Sequence, residues 1–205
     1  MIRQVELHTR RLLLRPFRME DAGEVQRLAG DRDVSKTTLS IPHPYEDGMA
    51  ETWIASHPDS LKAGSNVVYA MVEKVDDVLV GAINVGIEQK HRRGEFGYWV
   101  GKPFWGRGYC AEAAAVLLGF CFGPLGLHRV HARYLAGNSA SGRVMEKIGM
   151  RYEGCLRQHV ERNGDDGVWD PEWGASRASW GIASRSLTAG KVRSKTGGCN
   201  TRMLS

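Results

Sequence analysis

The sequence is poor in cysteine, and its four thiols are widely separated: Cys110, Cys121, Cys155 and Cys199. They show neither the close pairing of a zinc site nor the density of a disulfide-rich scaffold. We therefore expect free thiols in a reducing compartment and no bound metal.

Long apolar runs are also missing. The longest, residues 113–123, is shorter than the roughly 18 residues that a membrane-spanning helix requires, and Pro124 ends it. The amino-terminal segment has no sustained apolar stretch before a small-residue cleavage site, so it does not resemble a secretion signal. These absences predict a cytoplasmic protein that does not span a membrane.

Most of the chain lacks a surplus of either positive or negative charges, although the 205 residues together carry a net charge of +5. Residues 184–205 contain no acidic residue and five basic ones: Arg185, Lys191, Arg193, Lys195 and Arg202. Residues 1–183 are therefore neutral as a whole, and we expect no nucleic-acid partner for them. The tail is rich in Ser, Gly and Thr without apolar periodicity, which is typical of a disordered segment.

Apolar periodicity divides the first half of the chain into a strand near Leu12, a helix ending at Gly30 and a loop-rich region. Residues 37–64 predict a short helix held in long loops. From residue 67 the period becomes that of strands, which predicts an antiparallel meander over 67–73, 78–87 and 94–100.

The second half alternates helices and strands. Apolar residues recur with helical spacing over residues 109–122. A strand over 127–135 follows, then a helix between Asn138 and Gly149, then strands over 151–161 and 173–182. The expected fold class is α/β, or α+β, with a mixed, mostly antiparallel central sheet of about seven strands flanked by about four helices.

A glycine-rich turn directly before the helix at residue 109 is the most informative feature. Gly106 and Gly108 allow a close backbone approach, and free amides at a helix start favour an anion such as a pyrophosphate, to which Arg107 adds a charge. A plain tight turn is the alternative. A dinucleotide fingerprint fails because Lys102-Pro103 interrupts the preceding strand and no acidic residue follows about 20 positions later. A P-loop fails because no Gly-Lys-Ser/Thr follows.

Residues 94–113, GEFGYWVGKPFWGRGYCAEA, resemble the acetyl-CoA motif of the GNAT superfamily of N-acetyltransferases. More narrowly, they resemble its RimJ/RimL-like branch of ribosomal-protein N-terminal acetyltransferases. Further segments agree in order and spacing: 9–17 (TRRLLLRPF), 126–130 (GLHRV), 138–150 (NSASGRVMEKIGM) and 173–180 (WGASRASW). The resemblance covers residues 9–183, taken as the catalytic domain. It implies a sheet splayed between its fourth and fifth strands, with acetyl-CoA as co-substrate and no metal.

The resemblance also implies roles for individual residues. Glu95 is the candidate general base, acting directly or through water, with a carboxyl pKa raised by partial burial. Its alternative is a surface carboxylate paired with Arg92 or Arg93. Ser141 is the candidate proton donor to the leaving thiolate, or a first-turn serine that supports its helix. The expected cofactor contacts are Trp99, Val100, Gly106, Arg107, Gly108, Tyr109, Cys110, Ala111, Asn138 and Ser141.

The predicted activity is acetyl transfer from acetyl-CoA to a primary amine by direct attack in a ternary complex. The branch implies a protein N-terminal α-amine as acceptor, while a small amine such as an amino acid, polyamine or antibiotic stays open. A non-catalytic coenzyme A-binding or interaction module is the alternative from another class. We expect a monomer or a homodimer. Two departures from the family pattern are Cys110, where Ala is usual, and Asp170-Pro171, which predicts an interruption of the last strand.

Overall fold

A computed structural model describes residues 2–162 and 165–178 of the chain. Its strands are β1 (Leu7–His8), β2 (Leu12–Arg15), β3 (Asn66–Glu73), β4 (Val78–Glu88), β5 (Arg93–Val100), β6 (Arg129–Arg133), β7 (Arg151–Arg162) and β8 (Asp165–Ser176). Its α-helices are α1 (Ala22–Ala29), α2 (Arg32–Lys36), α3 (Met49–Ala55), α4 (His57–Lys62), α5 (Tyr109–Phe122) and α6 (Ser139–Lys147). Short 3-10 helices span Met19–Asp21 and Lys102–Phe104.

The strands form one sheet in the order β1-β2-β3-β4-β5-β6-β8-β7. Every neighbouring pair is antiparallel except β5 and β6, which are parallel. This arrangement confirms the predicted fold class, with eight strands where about seven were expected. The additional strand, β1, is only two residues long.

Strands β3, β4 and β5 form the predicted central meander. Their side chains enter two apolar clusters, one on each face of the sheet. The larger cluster lies between the sheet and helices α5 and α6, and it includes Tyr69, Leu117 and Met145. The smaller one packs against α1 and α3 and includes Val25 and Ile54. Because helices cover both faces, β3 is buried along almost its whole length instead of alternating.

The loop-rich region differs from the prediction. Residues 37–64 contain two consecutive helices, α3 and α4, instead of one, and α2 precedes them. The Asp31 side chain caps α2 by accepting a hydrogen bond from the Asp33 amide at 2.7 Å. These helices have five to seven residues each, too few for a helical apolar period to repeat.

The last strand also differs from the prediction. Strand β8 runs through Asp170-Pro171, which pair with Leu156 and Cys155 of β7. Pro171 lies beyond the stretch of β8 that pairs with β6, so its missing N–H is not required on that side. The strand ends at Ser176 instead of continuing to residue 182. Residues 179–183 and the basic tail, 184–205, lie outside the described residues.

A polar anchor ties the amino-terminal strands to the start of α5. The Glu112 carboxylate accepts hydrogen bonds from the Thr9 hydroxyl at 2.6 Å and from the Arg11 amide and Nε, both at 2.8 Å. Burial opposes ionisation of Glu112, but these hydrogen bonds outweigh burial and lower its pKa. The Arg11 guanidinium also lies over the Tyr109 ring, 4.6 Å from its centre. The anchor therefore holds the first turn of α5 in place.

Substituting Glu112 with Gln keeps the size of the side chain and removes the charge shared by Thr9 and Arg11. We expect the free energy of unfolding to fall by about 1–3 kcal/mol, because a partly buried guanidinium loses its partner. Urea denaturation measures the change. Glu24→Gln is the control, since Glu24 bonds Arg27 on the exposed surface of α1 and should cost less than about 0.5 kcal/mol. Equal losses in the two variants would contradict the anchoring role.

Candidate active site

The glycine-rich turn brings an exposed backbone to the start of α5. Gly106 and Gly108 have φ values of 76° and 79°, a backbone region that residues other than glycine rarely adopt. Gly108 precedes the helix and has no side chain that could accept a hydrogen bond from the first amides of α5. These amides and the helix dipole suit an anion. Arg107 is exposed beside them, with its guanidinium 5.5 Å from the centre of the Phe104 ring.

The next two residues of the turn point their side chains into the protein. Tyr109 is buried, and its hydroxyl donates a hydrogen bond to Glu73. Burial raises the pKa of the Cys110 thiol, so the thiol stays protonated at neutral pH and is a poor nucleophile. The groups of Cys110 and the adjacent Ala111 that suit an anion at the turn are therefore their backbone amides.

Strands β5 and β6 separate after a short parallel stretch. Pairing runs from Arg93 with Arg129 to Phe96 with Ala132, and in the described chain β5 continues to Val100 without β6 beside it. This confirms the predicted splay; the two strands are the fifth and sixth because β1 precedes the predicted set. The gap leaves backbone groups of β5 without a neighbouring strand on that side.

Backbone geometry decides which residues of β5 face the gap. The Gly101 amide donates to the Val80 carbonyl of β4 at 2.9 Å, and the Arg92 carbonyl accepts from the His128 amide on the opposite side at 2.7 Å. Alternation therefore directs the backbone of Tyr98 and Val100 toward the gap and that of Trp99 toward β4. The Val100 carbonyl already accepts a hydrogen bond from Trp105 Nε1 at 2.6 Å. A cofactor contact by Trp99 stays a prediction.

The first turn of α6 lies at the mouth of the gap. Asn138 caps this helix, accepting a hydrogen bond from the Ser141 amide at 3.3 Å, and its Nδ2 donates to the Thr37 carbonyl at 3.1 Å. Ser141 is 9% exposed, and its carbonyl accepts a hydrogen bond from the Tyr98 hydroxyl at 3.3 Å. The capping interpretation of Asn138 is confirmed, and its contact with the cofactor stays a prediction.

A cavity of about 490 Å³ opens on the other side of the gap. Its walls come from α1, α3, the segment 37–45, the ends of β5 and β6, and the start of α6. Glu95, Ser141 and Trp99 all line it, so both candidate catalytic residues face one space. The glycine turn and Asn138 do not line it. Burial raises the pKa of the Tyr98 hydroxyl, and the nearby Cys110 adds to that shift, so the turn lies next to a residue that lines the cavity.

Glu95 is held by two basic side chains of β6. Arg133 donates to Glu95 Oε1 from Nε at 3.0 Å and from Nη2 at 2.7 Å, and His131 Nε2 lies 3.6 Å from Oε2. His131 and Arg133 lower the pKa of Glu95 to about 2, although burial alone would raise it. The expected raised pKa is therefore wrong, because these partners outweigh burial. The alternative pairing with Arg92 or Arg93 is not seen among the described contacts either, since Glu95 pairs with Arg133 and His131, and Arg93 pairs with Glu88.

Sequence reasoning missed three polar residues of this site. Arg133 and His131 stand two positions apart on β6, so they share the sheet face that carries Glu95. That spacing was a usable signal, but linking it to Glu95 also required the parallel register of β5 and β6. Asn84 lines the cavity opposite Gly97, and its Nδ2 donates to Asn66 Oδ1 at 3.0 Å.

Within residues 2–162 and 165–178, no group of three or more His, Cys, Asp or Glu side chains is arranged to hold a metal ion. In the same part of the chain, no helix combines the length and apolar character needed to cross a bilayer.

Comparison with known proteins places the geometry in a family. Residues 11–151 match the acetyltransferase (GNAT) domain family. The chain is 30% identical over 168 residues to the uncharacterized N-acetyltransferase YoaA of Bacillus subtilis (strain 168), covering 77% of this chain and 89% of YoaA.

Two solved structures share the fold. One is Mycobacterium smegmatis RimJ in complex with CoA-disulfide, with a TM-score of 0.75, 24% identity, and coverage of 87% of this chain and 88% of that one. The other is the microcin C7 self immunity acetyltransferase MccE in complex with acetyl-CoA and AMP, with a TM-score of 0.73 and 17% identity. That match covers 82% of this chain and 93% of MccE. At these identities the two structures establish similarity of fold alone.

The lowered pKa of Glu95 predicts how this carboxyl titrates. Its folded value of about 2 lies below the ordinary 4.5, so its stabilising contribution is complete above pH 4.5 and is lost as the pH falls toward 2. The side chain is 43% exposed, which limits that contribution to less than about 1 kcal/mol. Carbon-13 NMR, with Glu95→Gln to assign the signal, should give a midpoint near 2. In Arg133→Gln the midpoint should move upward; a wild-type midpoint at or above 4.5 would contradict the pairing.

Proposed function

The chain belongs to the GNAT acetyltransferase family, and from that premise we propose that it transfers the acetyl group of acetyl-CoA directly to a primary amine. The observation that carries the proposal is the gap between β5 and β6. The glycine turn lies on one side of it, and the cavity lined by Glu95 and Ser141 lies on the other. A thioester and an amine entering from opposite sides would meet there in one complex.

The cofactor would lie along the turn and the open backbone of β5. Amides of residues 108–111 and the Arg107 guanidinium suit the pyrophosphate. The Tyr98 backbone and the Val100 amide, which face the gap, suit the amide-bearing pantetheine arm, which can bond to them as an added strand does. This arrangement supports Val100 and residues 106–111 of the expected cofactor set and adds Tyr98 to it, whereas the Trp99 backbone faces β4.

The chemistry requires a neutral amine and a proton for the departing thiolate. The amine nitrogen attacks the thioester carbonyl, a C–N bond forms, the C–S bond breaks, and the thiolate leaves with the bonding pair. The Ser141 hydroxyl is the group proposed to supply a proton or hydrogen bond to that sulfur. A carboxylate with a pKa of about 2 is too weak a base to deprotonate an ammonium group. Glu95 therefore orients the amine as a hydrogen-bond acceptor, and water removes the proton.

The acceptor proposed first is a protein N-terminal α-amine, as the RimJ/RimL-like resemblance implies. A free small amine is the second candidate, and the volume of the cavity favours it, because about 490 Å³ accommodates an entire small molecule. A non-catalytic coenzyme A-binding module has less support, since it does not explain why Glu95 and Ser141 line one cavity beside the gap.

Gly108→Ala tests the cofactor turn. The added methyl group strains a residue whose φ is 79° and blocks the approach of a phosphate, so the dissociation constant for acetyl-CoA should rise about tenfold or more. Isothermal titration calorimetry measures it. Gly126→Ala is the matched control, because Gly126 has a φ of 62° and lies outside the turn. Equal weakening by both variants, or no acetyl-CoA binding by the wild type, would refute the assignment.

Ser141→Ala tests the proton donor. We expect kcat for coenzyme A release in the presence of an amine to fall about a hundredfold, while acetyl-CoA affinity changes little. Ser139→Ala is the control, since Ser139 lies in the same helical turn but is exposed and outside the cavity. An unchanged kcat in Ser141→Ala would remove the serine from the chemistry.

A further inference from the structure

The wall of the cavity that faces α1 and α3 is apolar. Val25 comes from α1, Ile41 from the segment before α3, and Met49 and Trp53 from α3 itself. The Trp53 ring packs edge-on against Phe17, with centres 4.9 Å apart, which fixes the position of this wall. Hydroxyl side chains beside this wall add no charge: Thr37, Thr38, Ser40 and Tyr45. An uncharged body would therefore bury apolar surface here, whereas a charged one would lose hydration without gaining a countercharge.

Charge inside the cavity is confined to one balanced pair. Of the described residues that line it, only Glu95 and Arg133 are charged at neutral pH, and they are bonded to each other. Both Arg133 hydrogen bonds go to Oε1, so Oε2 is the oxygen left for an incoming amine, with His131 3.6 Å away. One amine therefore has a carboxylate acceptor here, and the described lining residues offer no second carboxylate to another cation.

We propose that this cavity selects a primary amine attached to an uncharged, apolar body, and that Arg133 enforces the selection by neutralising Glu95. The proposal rests on the acetyl transfer proposed above and names the substrate class for that same site. A peptide whose first residue is apolar and a free aryl- or alkylamine share this chemistry. A polyamine would place further positive charge beside Arg133, which opposes its entry.

The first experiment compares phenethylamine with spermidine, using kcat/KM for coenzyme A release. Wild type should prefer phenethylamine by about tenfold or more. Arg133→Gln removes the one cation among the described lining residues and leaves Glu95 with His131 alone, so the preference should move toward spermidine by about tenfold. Arg93→Gln breaks an arginine–glutamate pair outside the cavity and should leave the preference unchanged.

A second variant tests the apolar wall without touching the charges. Met49→Gln makes the wall polar at nearly constant size and should lower kcat/KM for phenethylamine about fivefold, with the KM for acetyl-CoA unchanged. Met19→Gln is its matched control, because Met19 is 49% exposed and outside the cavity. Tetrapeptides beginning with Phe or Lys repeat the comparison of an apolar with a charged substrate for peptide amines. The substrate with the higher kcat/KM, phenethylamine or the Phe peptide, then shows whether the natural amine is a free small molecule or a peptide terminus.

A wild-type preference for spermidine, or an Arg133→Gln variant with an unchanged preference, would overturn the selection proposal. Binding of acetyl-CoA without acetylation of any apolar amine or peptide would overturn it too, while leaving the cofactor assignment standing. Failure of the wild type to bind acetyl-CoA in calorimetry would instead refute the proposed function itself. The two failures are therefore distinguishable.

Discussion

The site depends on one interruption in the hydrogen bonding of the sheet. Strands β5 and β6 are paired over four residues and then separate. The separation leaves backbone groups of β5 open and brings the start of α5, the first turn of α6 and the cavity to the same place. Because the Glu112 anchor fixes the start of α5 and Asn138 ties α6 to Thr37, the surrounding elements cannot simply collapse into the gap.

Electrostatics then divide the work between the two candidate catalytic residues. Arg133 and His131 keep Glu95 ionised, so this carboxylate accepts hydrogen bonds and does not store a proton at neutral pH. Ser141 has the opposite character, since a hydroxyl donates readily and carries no charge into a buried position. The same pairing that deprives Glu95 of basicity also removes net charge from the described lining of the cavity. In the proposed mechanism, the weak basicity of Glu95 and the choice of substrate would both depend on Arg133.

Local patterns predicted the parts of the fold that they determine. The bounds of α5 were predicted to the residue, because a glycine turn and Gly123-Pro124 delimit a strongly periodic apolar segment. Helices α2 and α4 were missed because five or six residues cannot display a period, and packing rather than propensity forms them. The Glu95 environment was missed for another reason. Its partner, Arg133, lies 38 residues away on a parallel strand, and no local spacing specifies that register.

Binding of an amine in the cavity and binding of acetyl-CoA at the glycine turn would respond differently to salt. Mobile ions screen exposed charges beyond about 8 Å at physiological ionic strength, and the turn with Arg107 is proposed to attract a polyanion from solution. The cavity proposed to bind the amine has little net charge to screen, because the opposite charges of Glu95 and Arg133 compensate each other at short range. Ionic strength would therefore slow the arrival of one substrate and hardly affect the other. Salt concentration becomes a means of separating the two binding events without altering the protein.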